Sequence, residues 1–174
     1  MSRLLPGETP ASDLAFDTVD GPRWSLSDAA ASAPWQAVVV YRGLHCPLCK
    51  MQLTELGRKI EEFQKRDIAV AAVSMDSAER AAQSKADWKI DAFPLGYGLT
   101  EDQARSLGLY ISAGINDKEP ARFSEAGLFL FKAGKLHAAW VSSLPFARPK
   151  LDELLQGFDF VAANDYPARG ELAA

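Results

Sequence analysis

The chain has 174 residues, 48% hydrophobic and 24% charged, which is ordinary for one globular domain with a sizeable core. Its net charge of −4 and dispersed Lys and Arg residues lack the basic footprint of nucleic-acid-binding proteins. The first twenty residues lack a signal-peptide pattern, and no apolar run could span a bilayer. We therefore expect a cytoplasmic protein, with no nucleic-acid or membrane partner, in a compartment where structural disulfides are rare.

The first half of the sequence predicts a β-hairpin followed by a βαβ unit. The hairpin comprises residues 16–19 and 23–26 around an Asp20-Gly21 turn, and a short helix is expected from about Ser27. Apolar strands at 36–41 and 68–74 flank a helix at about 47–65, whose first position suits Pro47. Two strands joined by one helix are expected to be parallel neighbours.

The second half predicts two helices, a hairpin and a last helix. Residues 77–89 form the first helix, and Thr100 with Gln103 forms a capping box that begins the second. Between them, Pro94 restricts residues 93–97 to an edge strand or loop. The remaining predictions, in chain order, are a loop at 111–122, a β-hairpin at 128–131 and 136–141, and an amphipathic helix at about 149–162.

Cys46 and Cys49, the only cysteines, lie where the first core strand gives way to its helix. A thiol at the first turn of a helix meets unpaired N–H groups and the positive end of the helix dipole, which favour its reactive thiolate. Cys49 also lies on the apolar helix face, where it could be a buried core thiol. Zinc is disfavoured because only His45 and His137 could complete a four-ligand site. We expect no metal and no cofactor.

A CxxC motif beside a βαβ unit indicates a thioredoxin-like redox fold. We therefore predict an α/β protein with a central mixed β-sheet, helices on both faces and an N-terminal β-hairpin extension. The expected organisation is an N-terminal segment at residues 1–13, one thioredoxin-like domain at 14–163 and an irregular tail at 164–174.

The motif also carries a family resemblance, in the stretch Tyr41-Arg42-Gly43-Leu44-His45-Cys46-Pro47-Leu48-Cys49. This stretch resembles the active-site segment of peroxiredoxin-like proteins of the alkyl hydroperoxide reductase/thiol-specific antioxidant (AhpC/TSA) family, in the thioredoxin superfamily. The likeness extends over residues 14–170. It implies that Cys46 reacts with a hydroperoxide, that Cys49 resolves the product as a disulfide, and that a thioredoxin- or glutaredoxin-type dithiol reduces it. Relatives often form homodimers.

Two positions depart from the family pattern. Peroxiredoxins carry a Thr where this chain has Gly43, and an Arg where it has Ala126. The nearest arginine in sequence to the second gap is Arg122. Beside the cysteines, Arg42 could support the thiolate or hold a carboxylate, and His45 could polarise Cys46 or be an exposed residue entering the helix.

Because these departures remove groups that orient the peroxide, two other functions stay open. One is a protein thiol–disulfide oxidoreductase with a disulfide substrate and little peroxidase activity. The other is a non-enzymatic redox sensor.

Overall fold

The computed structural model describes residues 3–173, in which β-strands and α-helices alternate along the chain. The strands are β1 (Ala15–Thr18), β2 (Trp24–Ser25), β3 (Trp35–Val40), β4 (Ile68–Val73), β5 (Leu95–Tyr97), β6 (Ile111–Ala113), β7 (Arg122–Ser124), β8 (Gly127–Lys132) and β9 (Lys135–Val141). The helices are α1 (Leu26–Ser32), α2 (Pro47–Arg58), α3 (Ile60–Gln64), α4 (Ala78–Trp88), α5 (Glu101–Ser106) and α6 (Leu151–Ala163).

Seven strands form one mixed sheet in the order β2-β1-β5-β4-β3-β8-β9, and β6 pairs with β7 in a separate small sheet. The central strands β3 and β4 are parallel neighbours, as predicted, and β8 and β9 form the predicted hairpin. The N-terminal hairpin extends the sheet by pairing β1 with β5. The predicted thioredoxin-like fold is therefore confirmed, including its β-hairpin extension.

Both faces of the sheet are covered, which explains the continuous apolar run of β3. Ala37 and Val39 face a core completed by α2, α3, α4 and α6, whereas Val38 and Val40 face a core completed by α1 and α5. Successive side chains of a strand point to opposite faces, so a strand buried on both sides must be apolar at every position.

Three details differ from the sequence predictions. Residues 95–97 form an interior strand, because β1 pairs with the side that would otherwise be the edge of the sheet. Pro94 lies just before this strand, where its missing N–H costs no hydrogen bond between strands. The predicted loop at 111–122 contains β6 and the start of β7. The helix predicted at 47–65 is broken at Lys59, whose φ of −101° and ψ of 6° end α2.

One further prediction was wrong. The position of His137 within the strand predicts a surface residue, but His137 is 9% exposed and packs edge-on against Trp35 at 5.0 Å between ring centroids. Within residues 3–173, no helix combines the length and apolarity needed to cross a membrane.

The close approach of β1 and β5 gives a testable prediction. A Cβ at Gly96 would overlap the ring of Phe16 and lie 3.1 Å from a methyl of Val73. We expect Gly96→Ala to lower the free energy of unfolding by about 2 kcal/mol, because overpacking displaces the ring. The control is Gly157→Ala in α6, where a Cβ meets nothing within 4 Å and which should stabilise by about 1 kcal/mol. Urea unfolding measures both, and equal stabilities would contradict the packing argument.

Candidate active site

The site lies at one end of the main sheet, at the level where four neighbouring strands end or begin. Val73, Val40, Gly127 and Val141 are neighbours in the registers of β4, β3, β8 and β9. Because β9 runs in the same direction as β3, the segment after β9 emerges at the same end as the cysteine loop. Side chains that are far apart in sequence therefore meet at the start of α2.

Cys46 is the N-cap residue of α2, with the extended φ of −102° and ψ of 106° typical of that position. Its Sγ accepts a hydrogen bond from the backbone N–H of Cys49 at 3.3 Å. Pro47 follows as the first helical residue, as the sequence predicted. The Cys46 sulfur thus takes the place that a Ser or Asp oxygen takes in an ordinary cap.

Cys49 lies one turn further along α2 and is completely buried. Its Sγ accepts a hydrogen bond from the backbone N–H of Arg42 at 3.3 Å. Both thiols are free, and Cys46 itself is only 1% exposed. The two sulfurs therefore share a nearly dry site.

A side-chain cation that the sequence analysis did not identify, Arg148, contacts both sulfurs. Its Nη2 lies 3.2 Å from Sγ of Cys49 and 3.5 Å from Sγ of Cys46. Two further hydrogen bonds fix the guanidinium, from Nη1 to Oε1 of Gln52 at 2.9 Å and from Nε to the carbonyl of Pro145 at 3.0 Å. Across residues 3–173, no carboxylate forms an ion pair with it.

Arg42, in contrast, is engaged by carboxylates. Its Nε lies 2.9 Å from Oε2 of Glu125, its Nη2 lies 3.9 Å from Oε1 of Glu119, and its guanidinium stacks 4.8 Å above the ring of Phe123. Ser112 fixes the other oxygen of Glu125 with a 2.7 Å hydrogen bond. Arg42 therefore lies beside the cysteines with its charge partly neutralised.

His45 and Arg122, the other two candidate residues, contact different groups. The ring of His45 packs against Phe123 at 4.7 Å, and burial, together with the charge of Arg42, lowers the pKa of His45 and favours its neutral form. Arg122 has a side chain that is 59% exposed and pairs with Glu101 at 2.6 Å. Arg122 therefore does not join the cluster around the sulfurs.

The surroundings shift the pKa values of the two thiols in opposite directions. The pKa of Cys46 is lowered to about 5, although burial alone would raise it. The causes that lower it are a hydrogen bond from the Cys49 thiol, the Cys49 backbone N–H, the charge of Arg148 and a hydrogen bond from Arg42. Burial, followed by the hydrogen bond and negative charge of Cys46, raises the pKa of Cys49. Cys46 is thus ionised at neutral pH and Cys49 is protonated.

The turn before Cys46 explains why Gly43 stands where peroxiredoxins have Thr. Gly43 has a φ of +138°, and a Cβ there would lie 2.9 Å from both carboxylate oxygens of Asp76. Asp76 is buried and accepts a 2.8 Å hydrogen bond from the backbone N–H of Leu44, while Arg80 pairs with it at 2.9 Å. The carboxylate thus occupies the space of a side chain at position 43 and fixes the loop.

The sequence offered no signal for Arg148. It lies 102 residues after Cys46, in the segment between Pro145 and Pro149 that joins the predicted hairpin to the predicted last helix. Within residues 3–173, no group of three or more His, Cys, Asp and Glu side chains is placed to hold a metal ion.

Comparison with known proteins gives a family and a fold. The model of the AhpC/TSA family matches residues 8–138. No protein with a curated description is detectably similar in sequence.

Three solved structures illustrate the fold likeness. Reduced 2-Cys peroxiredoxin from Plasmodium vivax has a TM-score of 0.74 at 16% identity, covering 95% of this chain and 84% of that one. A mutant of peroxiredoxin 6 from Arenicola marina has 0.73 at 17%, covering 92% and 76%. A mutant of PrxQ from Xylella fastidiosa has 0.72 at 18%, covering 93% and 99%.

The contact between Gly43 and Asp76 predicts that a threonine at position 43, as in the family, destabilises the folded protein. We expect Gly43→Thr to lower the free energy of unfolding by about 2 kcal/mol or more, because it combines positive-φ strain with a clash against a buried carboxylate. Gly98→Thr is the control, since φ there is also positive, at +69°, but a Cβ meets nothing within 4 Å. Thermal or urea unfolding compares the two. Equal losses would show that the carboxylate contact contributes nothing.

The lowered pKa of Cys46 predicts its alkylation profile. Because the thiolate is the nucleophile, the rate of modification of Cys46 by iodoacetamide should rise with a midpoint at about pH 5 and be level by pH 7. Mass spectrometry of the labelled peptide distinguishes Cys46 from Cys49, and the urea-unfolded chain provides the ordinary thiol as reference. A midpoint for Cys46 equal to that reference would contradict the assignment.

Proposed function

The chain belongs to the AhpC/TSA family of the thioredoxin superfamily, and on that premise we propose that it is a thiol peroxidase whose nucleophile is Cys46. The observation that carries this proposal is the position of the Cys46 sulfur. This sulfur caps α2, and a second thiol lies one turn away. It also lies within 3.5 Å of the guanidinium of Arg148, which forms no ion pair with a carboxylate among residues 3–173. We assign Cys49 as the resolving residue.

In the first step, the Cys46 thiolate attacks the terminal oxygen of a hydroperoxide. An S–O bond forms and the O–O bond breaks, so that sulfur is oxidised to a sulfenic acid while the peroxide is reduced to an alcohol or, from hydrogen peroxide, to water. The departing oxygen carries the negative charge and takes up a proton.

Ionisation of Cys46 is not enough to make this step fast. Lowering a thiol pKa from about 8.5 to about 5 raises the thiolate fraction at pH 7 by roughly 30-fold. With a Brønsted coefficient of about 0.4–0.5, the same shift lowers the nucleophilicity by roughly 25- to 60-fold. The two effects cancel, so the acceleration must come from groups that stabilise the charge on the departing oxygen.

The site has donors for that purpose even without the two family residues at positions 43 and 126. Arg148 extends a guanidinium to the Cys46 sulfur from a segment after β9, and Arg42 approaches from the end of β3. Fixed donors in a nearly dry site stabilise a developing oxyanion far more than water does, because they need no reorganisation. We therefore propose that Arg148 and Arg42 together replace the missing donors.

In the second step, Cys49 attacks the sulfenic acid of Cys46 and forms a disulfide with loss of water. An external dithiol of the thioredoxin or glutaredoxin type would then reduce the disulfide and close the cycle. Family membership also makes a homodimer the expected assembly. Neither step calls on a metal or an organic cofactor.

The burial of both sulfurs favours a small substrate over a protein disulfide. Cys46 is 1% exposed and Cys49 is 0% exposed. In thiol–disulfide exchange, the attacking sulfur must approach one sulfur of the substrate along the axis of its disulfide bond, which a bulky protein substrate can offer only at an exposed site. A hydroperoxide presents only its terminal oxygen. This burial favours attack on a hydroperoxide by the reduced site, whereas reduction of the Cys46–Cys49 disulfide by a protein dithiol requires the oxidised site to become accessible.

The test is peroxide consumption coupled to thioredoxin, thioredoxin reductase and NADPH. We expect the wild type to consume hydrogen peroxide or cumene hydroperoxide roughly 100-fold or more faster than free dithiothreitol does, since one fixed donor is worth about that factor. Cys46→Ser should abolish consumption. Cys49→Ser should retain a single oxidation of Cys46 but lose thioredoxin-linked turnover.

Mass spectrometry after one equivalent of peroxide provides the second readout. A loss of two hydrogens confined to the peptide that carries both cysteines supports the proposal. Reduction of insulin without peroxide consumption would instead indicate the thiol–disulfide oxidoreductase. Disulfide formation with neither activity would indicate the redox sensor.

A further inference from the structure

We infer that Arg148 is a catalytic residue of the resolving step, in which its guanidinium stabilises the thiolate of Cys49 after Cys46 has been oxidised. This inference rests on the proposed function, because the resolving step requires a sulfenic acid at Cys46. It assigns to one cation a role in both halves of the cycle.

The geometry places Arg148 closer to the resolving sulfur than to the peroxide-reacting one. Its Nη2 is 3.2 Å from Sγ of Cys49 and 3.5 Å from Sγ of Cys46. Gln52, one turn after Cys49 on α2, holds Nη1, and the carbonyl of Pro145 holds Nε. The guanidinium is thus fixed to the same helix as the cysteines and can serve either sulfur without moving.

The resolving step has an electrostatic difficulty that a cation would remove. Cys49 is completely buried, and burial disfavours its charged form. While Cys46 is a thiolate, its negative charge raises the pKa of Cys49 further. Oxidation converts Cys46 to a neutral sulfenic acid, which removes that repulsion and leaves Arg148 in place.

The other groups that face Cys49 cannot supply the positive charge that its thiolate needs. Tyr41 interacts electrostatically with Cys49, but a phenol carries no positive charge in either protonation state, and burial raises its pKa, so it stays neutral. Arg42 offers Cys49 its backbone N–H, while its guanidinium is paired with Glu125. Arg148 is the remaining cation at this sulfur among residues 3–173.

The backbone next to Arg148 supports a specific role. Ala147 has a φ of +55°, a left-handed conformation that is strained for a non-glycine residue. Such strain persists where neighbouring contacts hold the chain. Here the hydrogen bonds of Arg148 fix the residue that follows Ala147.

The chemical step balances with these groups alone. The Cys49 thiolate attacks the sulfur of the Cys46 sulfenic acid, the S–S bond forms, and the S–O bond breaks. Hydroxide leaves and takes the proton that Cys49 released on ionising, giving water. The negative charge thus passes from Cys49 to an oxygen bound to Cys46, and both sulfurs lie within 3.5 Å of the same Nη2.

The experiment compares Arg148→Met, Arg148→Lys and wild type in single-turnover stopped flow, where tryptophan fluorescence separates Cys46 oxidation from disulfide formation. We expect Arg148→Met to slow disulfide formation at pH 7 by about tenfold or more, with recovery as the pH is raised and Cys49 ionises unaided. Arg148→Lys should retain much of the wild-type rate. The accumulated sulfenic acid should be trapped by dimedone in Arg148→Met and hardly at all in wild type.

Lys150→Met is the matched control. It removes a positive charge from the same segment, but the Lys150 side chain is 80% exposed and its one ion pair among residues 3–173 is with Glu153, at 3.5 Å. Its rate of disulfide formation should stay within about twofold of wild type. A comparable loss in Lys150→Met would attribute the effect to general charge and overturn the assignment to Arg148.

The outcomes separate this inference from the proposed function. If wild type does not oxidise Cys46 with peroxide, the proposed function fails. If wild type forms the disulfide and Arg148→Met forms it at the same rate across the pH range, only the role of Arg148 is overturned. Should Arg148→Met fail to fold, Gln52→Leu replaces it, because losing the hydrogen bond to Nη1 should slow the same step with the same recovery at high pH.

Discussion

The site depends on the stabilisation of negative charge on sulfur in a place that water barely reaches. A buried thiolate is unstable unless fixed hydrogen-bond donors and positive charge surround it. At Cys46 this stabilisation comes from the thiol of Cys49, from the start of α2 through the backbone N–H of Cys49, and from Arg148 and Arg42. The same burial keeps Cys49 protonated until its neighbour loses its charge.

The sheet topology brings these groups together. Val40, Val73, Gly127 and Val141 lie side by side, so the segments that follow or precede them share one end of the sheet. The cysteine loop leaves β3, Asp76 follows β4, Glu125 precedes β8, and Arg148 follows β9. Each segment contributes one charged side chain or one sulfur pair, and the registers of the central strands fix their relative positions.

The two departures from the family pattern have different physical explanations. At Gly43, the carboxylate of Asp76 fills the space of a side chain and holds the loop through the N–H of Leu44, so a threonine there would be strained by both the backbone conformation and the carboxylate. At Ala126, we propose that Arg148, which reaches the sulfurs from the neighbouring strand's end, offsets the missing arginine together with Arg42. The pattern of residues changes, while fixed donors around an ionised sulfur remain.

The sequence by itself determined the order of the main-sheet strands and of most helices, the apolar character of β3 and the position of Cys46 at a helix start, because periodicity and capping are local properties of the chain; it missed β6, β7 and the break between α2 and α3. It also indicated the family, through a contiguous motif. Only the tertiary structure decided that β5 is an interior strand, that Arg122 pairs with Glu101 at the surface, and that Arg148 lies against both sulfurs. Those features depend on strand pairings between residues far apart in the chain, and spacing along a single sequence does not encode which segments emerge at the same end of the sheet.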